Sequence, residues 1–142
     1  MKNILVISVF MLLFAYGYAQ TSTHSGQSKK PDILFVEKSI DFGTIKEGER
    51  PNIVFKFYNS GTAPLLIKDI HAPCGCTGKD WPRHPIMPGD SSSITATFTS
   101  RGYAGRNVHK SVRVVTNIPD KKGKKGQGKE ITLFFKGHVE PK

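Results

Sequence analysis

The sequence predicts an all-β fold, and two observations carry this prediction. The 142 residues include 14 Gly and 9 Pro, together about 16% of the chain, and this density of turn-forming residues interrupts long helices. From Asp32 onward, short runs with β-type patterning are separated by turn residues. No run there keeps a 3.6-residue period over the roughly ten positions that a helix needs. The length fits one ordinary domain, and a helical bundle is excluded.

The first 19 residues have the pattern of a secretory signal peptide. Lys2 precedes an apolar run over 4–15, which is shorter than the roughly 20 residues that a membrane-spanning helix needs. Gly17 and Ala19 place small residues at the two positions that signal peptidase recognises. We therefore expect cleavage before Gln20, a periplasmic or secreted protein, and no transmembrane segment after cleavage. A retained N-terminal anchor is the alternative.

The mature chain divides into two parts. Residues 20–31 are polar and poor in apolar side chains, so we expect a disordered N-terminal segment. Residues 32–142 form the predicted folded domain. Its strands end near Val139, and a chain of this length buries one core without needing a metal or a disulfide framework.

About seven strands are predicted, at the spacing of an immunoglobulin-like β-sandwich. The alternation is clear in the run 53–58, where one face is apolar and the other is mixed. The core face of that run holds Ile53, Phe55 and Phe57, and the other face holds Val54, Lys56 and Tyr58. The predicted strands cover residues 33–36, 40–45, 53–58, 65–70, 93–99, 112–116 and 131–139.

Phenylalanines supply the predicted aromatic core. Phe134 is out of phase with the others, so we expect it to be partly buried at a strand edge, or to face a neighbouring element or a partner. The six in-phase residues are Phe35, Phe42, Phe55, Phe57, Phe98 and Phe135.

The Cys74-Gly75-Cys76 element follows a predicted strand and is the most distinctive chemical motif of the sequence. Three hypotheses for its role stay open. The export route permits a disulfide across Gly75, and so small a ring should stabilise the fold little and be easy to reduce, which makes a redox role conceivable. The thiolates could instead bind copper or zinc with His71 as a third ligand, although no second paired motif has zinc spacing. Finally, both cysteines could be structural, as small apolar side chains on one face of an extended segment.

Trp81 and Arg83 lie in the long aperiodic stretch 71–89. A lone tryptophan beside cations often marks a partner surface. The favoured alternative is a loop anchor that covers one end of the core. Long loops in compact domains are often functional, so this stretch is the best candidate region.

A lysine-rich tract carries nearly half of the mature charge. The formal net charge is +10, and removal of Lys2 leaves +9. Residues 120–129 hold five lysines and one aspartate, a local charge of +4. Because the tract lacks aromatic residues for base stacking and the chain is exported, nucleic acid is not the expected partner. We expect a solvated loop, or attraction to an anionic glycan or membrane surface. The lysines are Lys121, Lys122, Lys124, Lys125 and Lys129.

Catalytic patterns are absent from the sequence. The run 89–93 lacks the Gly-x-Ser-x-Gly spacing of a nucleophile elbow, and no phosphate-binding glycine loop occurs. We therefore expect a non-catalytic binding or structural module that takes no cofactor and has a protein or envelope glycan partner. Copper or zinc binding is the alternative.

Short motifs follow one another in a specific order from about Phe35 to Val139. They are Asp41-Phe42-Gly43-Thr44-Ile45 with Glu47-Gly48, then Phe55, Phe57, Asn59, Ser60 and Gly61, then Pro64, Leu65 and Ile67, then Cys74-Gly75-Cys76-Thr77, then Pro88-Gly89, and finally Gly137 and Val139. In this order they resemble an exported bacterial domain-of-unknown-function family, number one-five-seven-three. The resemblance implies an immunoglobulin-like domain of the cell envelope, akin to binding or scaffold modules, and no particular ligand.

Overall fold

The computed structural model describes residues 28–120 and 128–142, which form eight β-strands and no helix. Nothing in these two ranges offers a helix of the length and apolarity that crossing a bilayer requires. The expected signal peptide and residues 20–27 lie outside the described ranges. The strands are β1 (Ile33–Phe35), β2 (Ser39–Lys46), β3 (Asn52–Asn59), β4 (Ile67–His71), β5 (Thr77–Asp80), β6 (Ser91–Phe98), β7 (Arg106–Pro119) and β8 (Gly128–Glu140).

The strands form two four-stranded sheets that share one core. The first sheet has the order β1-β3-β6-β5 and is antiparallel throughout. The second sheet has the order β2-β8-β7-β4, in which β2 runs parallel to β8 and the other pairs are antiparallel. Side chains from the inner faces of both sheets fill the space between them. The structure thus confirms the predicted immunoglobulin-like β-sandwich.

The predicted aromatic core is confirmed. Five of the six phenylalanines are buried, and Phe42 is half-buried against the same cluster. Phe42 of β2, Phe98 of β6 and Phe135 of β8 have ring centroids 5.8 to 6.4 Å apart, so aromatic contacts join the two sheets. The alternation in β3 is also as predicted, with Phe55 and Phe57 fully buried.

Two strands differ from the prediction. β5 lies inside the stretch that shows no pattern, because Gly78 and Asp80 have low strand propensity and the strand forms through its pairing with β6. β7 starts at Arg106 rather than near residue 112, since its first residues pair with the end of β8, as in Arg106 with Val139. Tertiary pairing rather than local sequence sets both boundaries.

Phe134 is partly exposed, but its expected place at a strand edge is wrong. β8 lies between β2 and β7, so it is an inner strand of the second sheet. Phe134 projects from the outer face of that sheet, where its ring stacks on His109 with centroids 5.9 Å apart.

Asn59 ties the turn after β3 to two other segments. The side chain is 1% exposed. Its Nδ2 donates to the carbonyl oxygens of Ala63 and Ile86, both at 2.8 Å, and its Oδ1 accepts from Gly61 N–H. Buried amide groups thus find partners in place of water. Close by, the carbonyl oxygen of Lys30 accepts a hydrogen bond from Thr62 N–H at 2.8 Å, so Lys30 packs against the same turn.

Gly137 allows Phe42 to reach the core. The register of β2 against β8 shifts between Asp41 and Thr44, at a bulge where Gly43 has a φ of 74°. Phe42 packs directly over Gly137, and a Cβ at this glycine would overlap the Phe42 ring. The contact between the two sheets therefore requires glycine at residue 137.

Phe55→Ala is expected to reduce the free energy of unfolding by about 3 to 5 kcal/mol, because it leaves a cavity in a fully buried site. Val54→Ala, one residue away on the outer face, is the matched control and should cost less than about 1 kcal/mol. Urea denaturation followed by tryptophan fluorescence measures both values. Equal losses for the two variants would contradict the strand phase.

Gly137→Ala is expected to destabilise the fold by about 1 to 3 kcal/mol, because the added methyl group overpacks the Phe42 contact. Gly75→Ala is the control, since a Cβ there meets nothing within 4 Å and the backbone is not left-handed. In a thermal melt of each variant, only the first should lower the midpoint clearly. When Gly137→Ala and Phe42→Leu are combined, their losses in the free energy of unfolding should not add, because the two residues are in contact.

Candidate functional site

A disulfide joins Cys74 and Cys76 where the chain passes from one sheet to the other. β4 is an edge strand of the second sheet and β5 is an edge strand of the first, and the disulfide lies in the connection between them. Both cysteines are half-buried, and their Cα atoms are 5.3 Å apart. Of the three hypotheses for this element, the disulfide is the state that the structure contains.

Two hydroxyl groups contact the sulfur atoms. The Tyr103 hydroxyl donates to Cys76 Sγ at 3.7 Å. Thr77 Oγ1 lies 3.9 Å from Sγ of Cys74 and 3.9 Å from Sγ of Cys76. Cys76 also packs against the core, and its carbonyl accepts from Thr99 N–H at 2.9 Å. The two sulfurs therefore have different surroundings, because Cys76 has the extra hydroxyl.

The structure does not bring His71 and the two cysteines together as a ligand set. His71 belongs to β4, pairs in register with Arg113 and places its Nε2 3.6 Å from Asp69 Oδ2. Across residues 28–120 and 128–142, no three His, Cys, Asp or Glu side chains gather in a way that could hold a metal ion.

Trp81 is a core residue and Arg83 covers it. The tryptophan is 9% exposed and belongs to the buried cluster, while the Arg83 guanidinium carbon lies 3.5 Å from the centroid of its ring. The favoured hypothesis of a loop anchor fits this burial. The Trp81 ring is therefore largely covered, whereas Arg83 is exposed.

The outer face of the first sheet carries an apolar surface, which we call the outer patch. Leu34 lies directly opposite Tyr58 across the β1–β3 pair, and Val36 donates its N–H to Lys56 O on the same pair. Four of the six large apolar side chains that are exposed in the described ranges belong to this patch. They are Leu34 (60% exposed), Val36 (58%), Val54 (42%) and Tyr58 (46%).

The outer face of the second sheet has a shallow polar groove of about 460 Å³. Its side chains pair with one another: His138 Nδ1 lies 2.8 Å from Asn107 Oδ1, and Lys136 Nζ lies 3.8 Å from Asp41 Oδ2. Because these groups already have partners, the groove is a weaker candidate than the outer patch.

Most of the lysine tract falls outside the described residues. This holds for Lys121, Lys122, Lys124 and Lys125. Lys129 is described and exposed, and its backbone carbonyl accepts from Thr116 Oγ1 at 2.9 Å near the start of β8.

Two features were missed from the sequence alone. The outer patch had a detectable signal, since Val54 and Tyr58 are apolar residues on the face of β3 opposite its core face. Tyr103 had none, because 27 residues separate it from Cys76 and only the fold brings them together.

The two sheets form an immunoglobulin-like β-sandwich, and solved structures with a similar fold include PapD-like domains. The chain is similar to the PapD-like domain 7 of human CEP192, with a TM-score of 0.62, 14% identity, and coverage of 80% of this chain and 88% of that one. A protein of unknown function from Porphyromonas gingivalis W83 gives a TM-score of 0.59 at 14% identity, covering 78% of this chain and 47% of that one. These likenesses concern the fold.

A third similar structure is the CsuC-CsuE chaperone-tip adhesion subunit pre-assembly complex from the Csu pili of Acinetobacter baumannii. The TM-score is 0.51 at 12% identity, with 76% of this chain and 57% of that one covered.

No curated protein matches the sequence. Residues 33–139 match the family described as "Protein of unknown function (DUF1573)", and the chain belongs to this family.

Removal of the disulfide by the double substitution Cys74→Ala and Cys76→Ala is expected to cost only about 1 to 2 kcal/mol, because a three-residue loop constrains the unfolded chain little. Differential scanning calorimetry should show one cooperative transition a few degrees lower. A double variant that fails to fold would contradict this expectation and identify the disulfide as a structural requirement.

Proposed function

We propose that the protein is an exported, non-catalytic binding module that holds an extended segment of another protein along β1, over the outer patch. The observation that carries this proposal is the clustering of exposed apolar side chains beside an open sheet edge. Removing such a surface from water is favourable, and apolar clusters on soluble domains mark interaction sites.

β1 offers its backbone as well as its side chains. Val36 N–H bonds to β3, so alternate residues such as Phe35 direct their N–H and C=O groups away from β3, toward the open edge. In the part of the chain that the structure describes, no strand pairs with β1 on that side. An extended segment added there would gain main-chain hydrogen bonds and place alternate side chains against Leu34 and Val36.

The composition of this chain argues for an occupant from another protein. Residues 20–27 and 121–127 contain no large apolar side chain, so neither segment could cover the patch. A second copy would bring the same strongly positive charge, which opposes association. Lys56 lies within the patch between Val54 and Tyr58 along β3, so an apolar partner strand with one acidic residue complements it best.

Several observations support the rest of the proposal. The signal-peptide pattern of residues 1–19 supports export. The pilus-assembly neighbour from Acinetobacter baumannii is a complex between proteins, which agrees with use of this fold for protein binding. The absence of nucleophile and phosphate motifs from the sequence supports a non-catalytic role.

The test uses the chain from Gln20 and a ten-residue peptide with alternating valines and leucines and one central glutamate. Backbone NMR should show the largest shift changes at Leu34 and Phe35. Leu34→Lys combined with Val36→Lys should weaken peptide binding about tenfold or more. The loss of about 1.4 kcal/mol of apolar contact energy raises the Kd tenfold. Met87→Lys is the matched control, because Met87 is 53% exposed and is not one of the outer-patch side chains.

Three outcomes would overturn the proposal. Shift changes centred on β5 or on the groove of the second sheet would place binding elsewhere. Equal weakening by Met87→Lys would show a nonspecific charge effect. A dimer in analytical ultracentrifugation that Leu34→Lys abolishes would identify a second copy as the occupant.

A further inference from the structure

We propose that the Cys74–Cys76 disulfide is a redox-active site that oxidises a protein dithiol, with Cys74 as the sulfur attacked and Cys76 as the sulfur that leaves. This inference does not depend on the binding function proposed for the outer patch, since the two lie at opposite edges of the first sheet, β1 and β5.

The size and position of the small ring that the disulfide closes favour thiol–disulfide exchange over a structural role. The disulfide spans a sequence separation of two residues, so its contribution through chain entropy is among the smallest that a disulfide makes. The core of the sandwich forms from other residues. Both cysteines keep part of their surface exposed in the connection between the two sheets, and attack by an incoming thiolate requires such exposure.

The hydroxyl contacts give the two sulfurs different roles. When the bond breaks, the leaving sulfur carries a negative charge, and a hydroxyl that donates to it lowers the energy of that thiolate. Cys76 accepts from Tyr103 O–H, whereas Thr77 lies equally far from both sulfurs. Cys76 is therefore the better leaving group, and Cys74 is the sulfur on which a mixed disulfide forms.

The fold holds Tyr103 in this position. Its ring packs edge-on against Phe98 with centroids 5.2 Å apart, and its N–H donates to Ser100 O at 3.0 Å. The Lys110 ammonium lies 5.2 Å from the ring centroid, so a positive charge stands beside the ring. The hydroxyl thus stays directed at Cys76.

The exchange balances in two steps. One thiolate of the partner dithiol attacks Cys74 Sγ, the Cys74–Cys76 bond breaks, and its electron pair passes to Cys76 Sγ. The second partner thiolate then attacks the partner's sulfur in the mixed disulfide, which releases Cys74 as a thiolate. The partner leaves as a disulfide, oxidised by two electrons, and its two protons end on Cys74 and Cys76.

The first experiment measures reduction of the folded chain from Gln20 by dithiothreitol. Samples quenched with iodoacetamide are weighed by mass spectrometry at successive times. Tyr103→Phe keeps the ring but removes the hydroxyl, and it should slow reduction about fivefold while leaving the melting temperature unchanged. Ser39→Ala removes an exposed hydroxyl at the start of β2, in the second sheet, and should leave the rate unchanged.

The second experiment identifies the attacked sulfur. After brief exposure to glutathione and rapid alkylation, peptide mapping should find glutathione on Cys74 and the alkyl group on Cys76. Glutathione mainly on Cys76 would overturn the assigned roles. Reduction that occurs only in denaturant, or equal rates for wild type and Tyr103→Phe, would overturn the proposed site.

Discussion

The aromatic contact among Phe42, Phe98 and Phe135 joins the two sheets, and the surface chemistry follows from it. Because strand side chains alternate between faces, fixing one residue inward fixes its neighbours outward. Phe55 and Phe57 of β3 are fully buried on the same side as this contact. Val54, Lys56 and Tyr58 therefore face solvent, so the burial of Phe55 and Phe57 fixes the position of two outer-patch side chains.

The faces of a strand can be predicted from the sequence where the strand has its own period-two alternation. Strand boundaries and strand order cannot be predicted in this way where pairing with other strands determines them. β3 has period-two patterning, so its faces could be assigned directly. β5 contains residues of low strand propensity and exists because β6 binds it. Phe134 had the correct phase, but its place on an inner strand depended on the strand order. The same holds for the disulfide site, since Cys74 and Cys76 are two residues apart in the sequence, whereas Tyr103 lies 27 residues from Cys76 and only the fold brings it into contact.

The two candidate sites occupy opposite edges of one sheet. Three strand spacings separate β1 from β5, about 14 Å, with β3 and β6 between them. A segment bound along β1 would leave the Cys74–Cys76 connection uncovered. One small domain could thus hold a partner at one edge while its disulfide reacts at the other.

The parallel pairing of β2 with β8 has a consequence for how the chain acquires its shape. Ser39 at the start of β2 pairs with Phe134, 95 positions away. Contacts this distant in sequence slow folding, because a large loop must close before they form. Of the described strands in the second sheet, β2 pairs only with β8, so β2 keeps both edges unpaired until β8 has been made and has folded beside it.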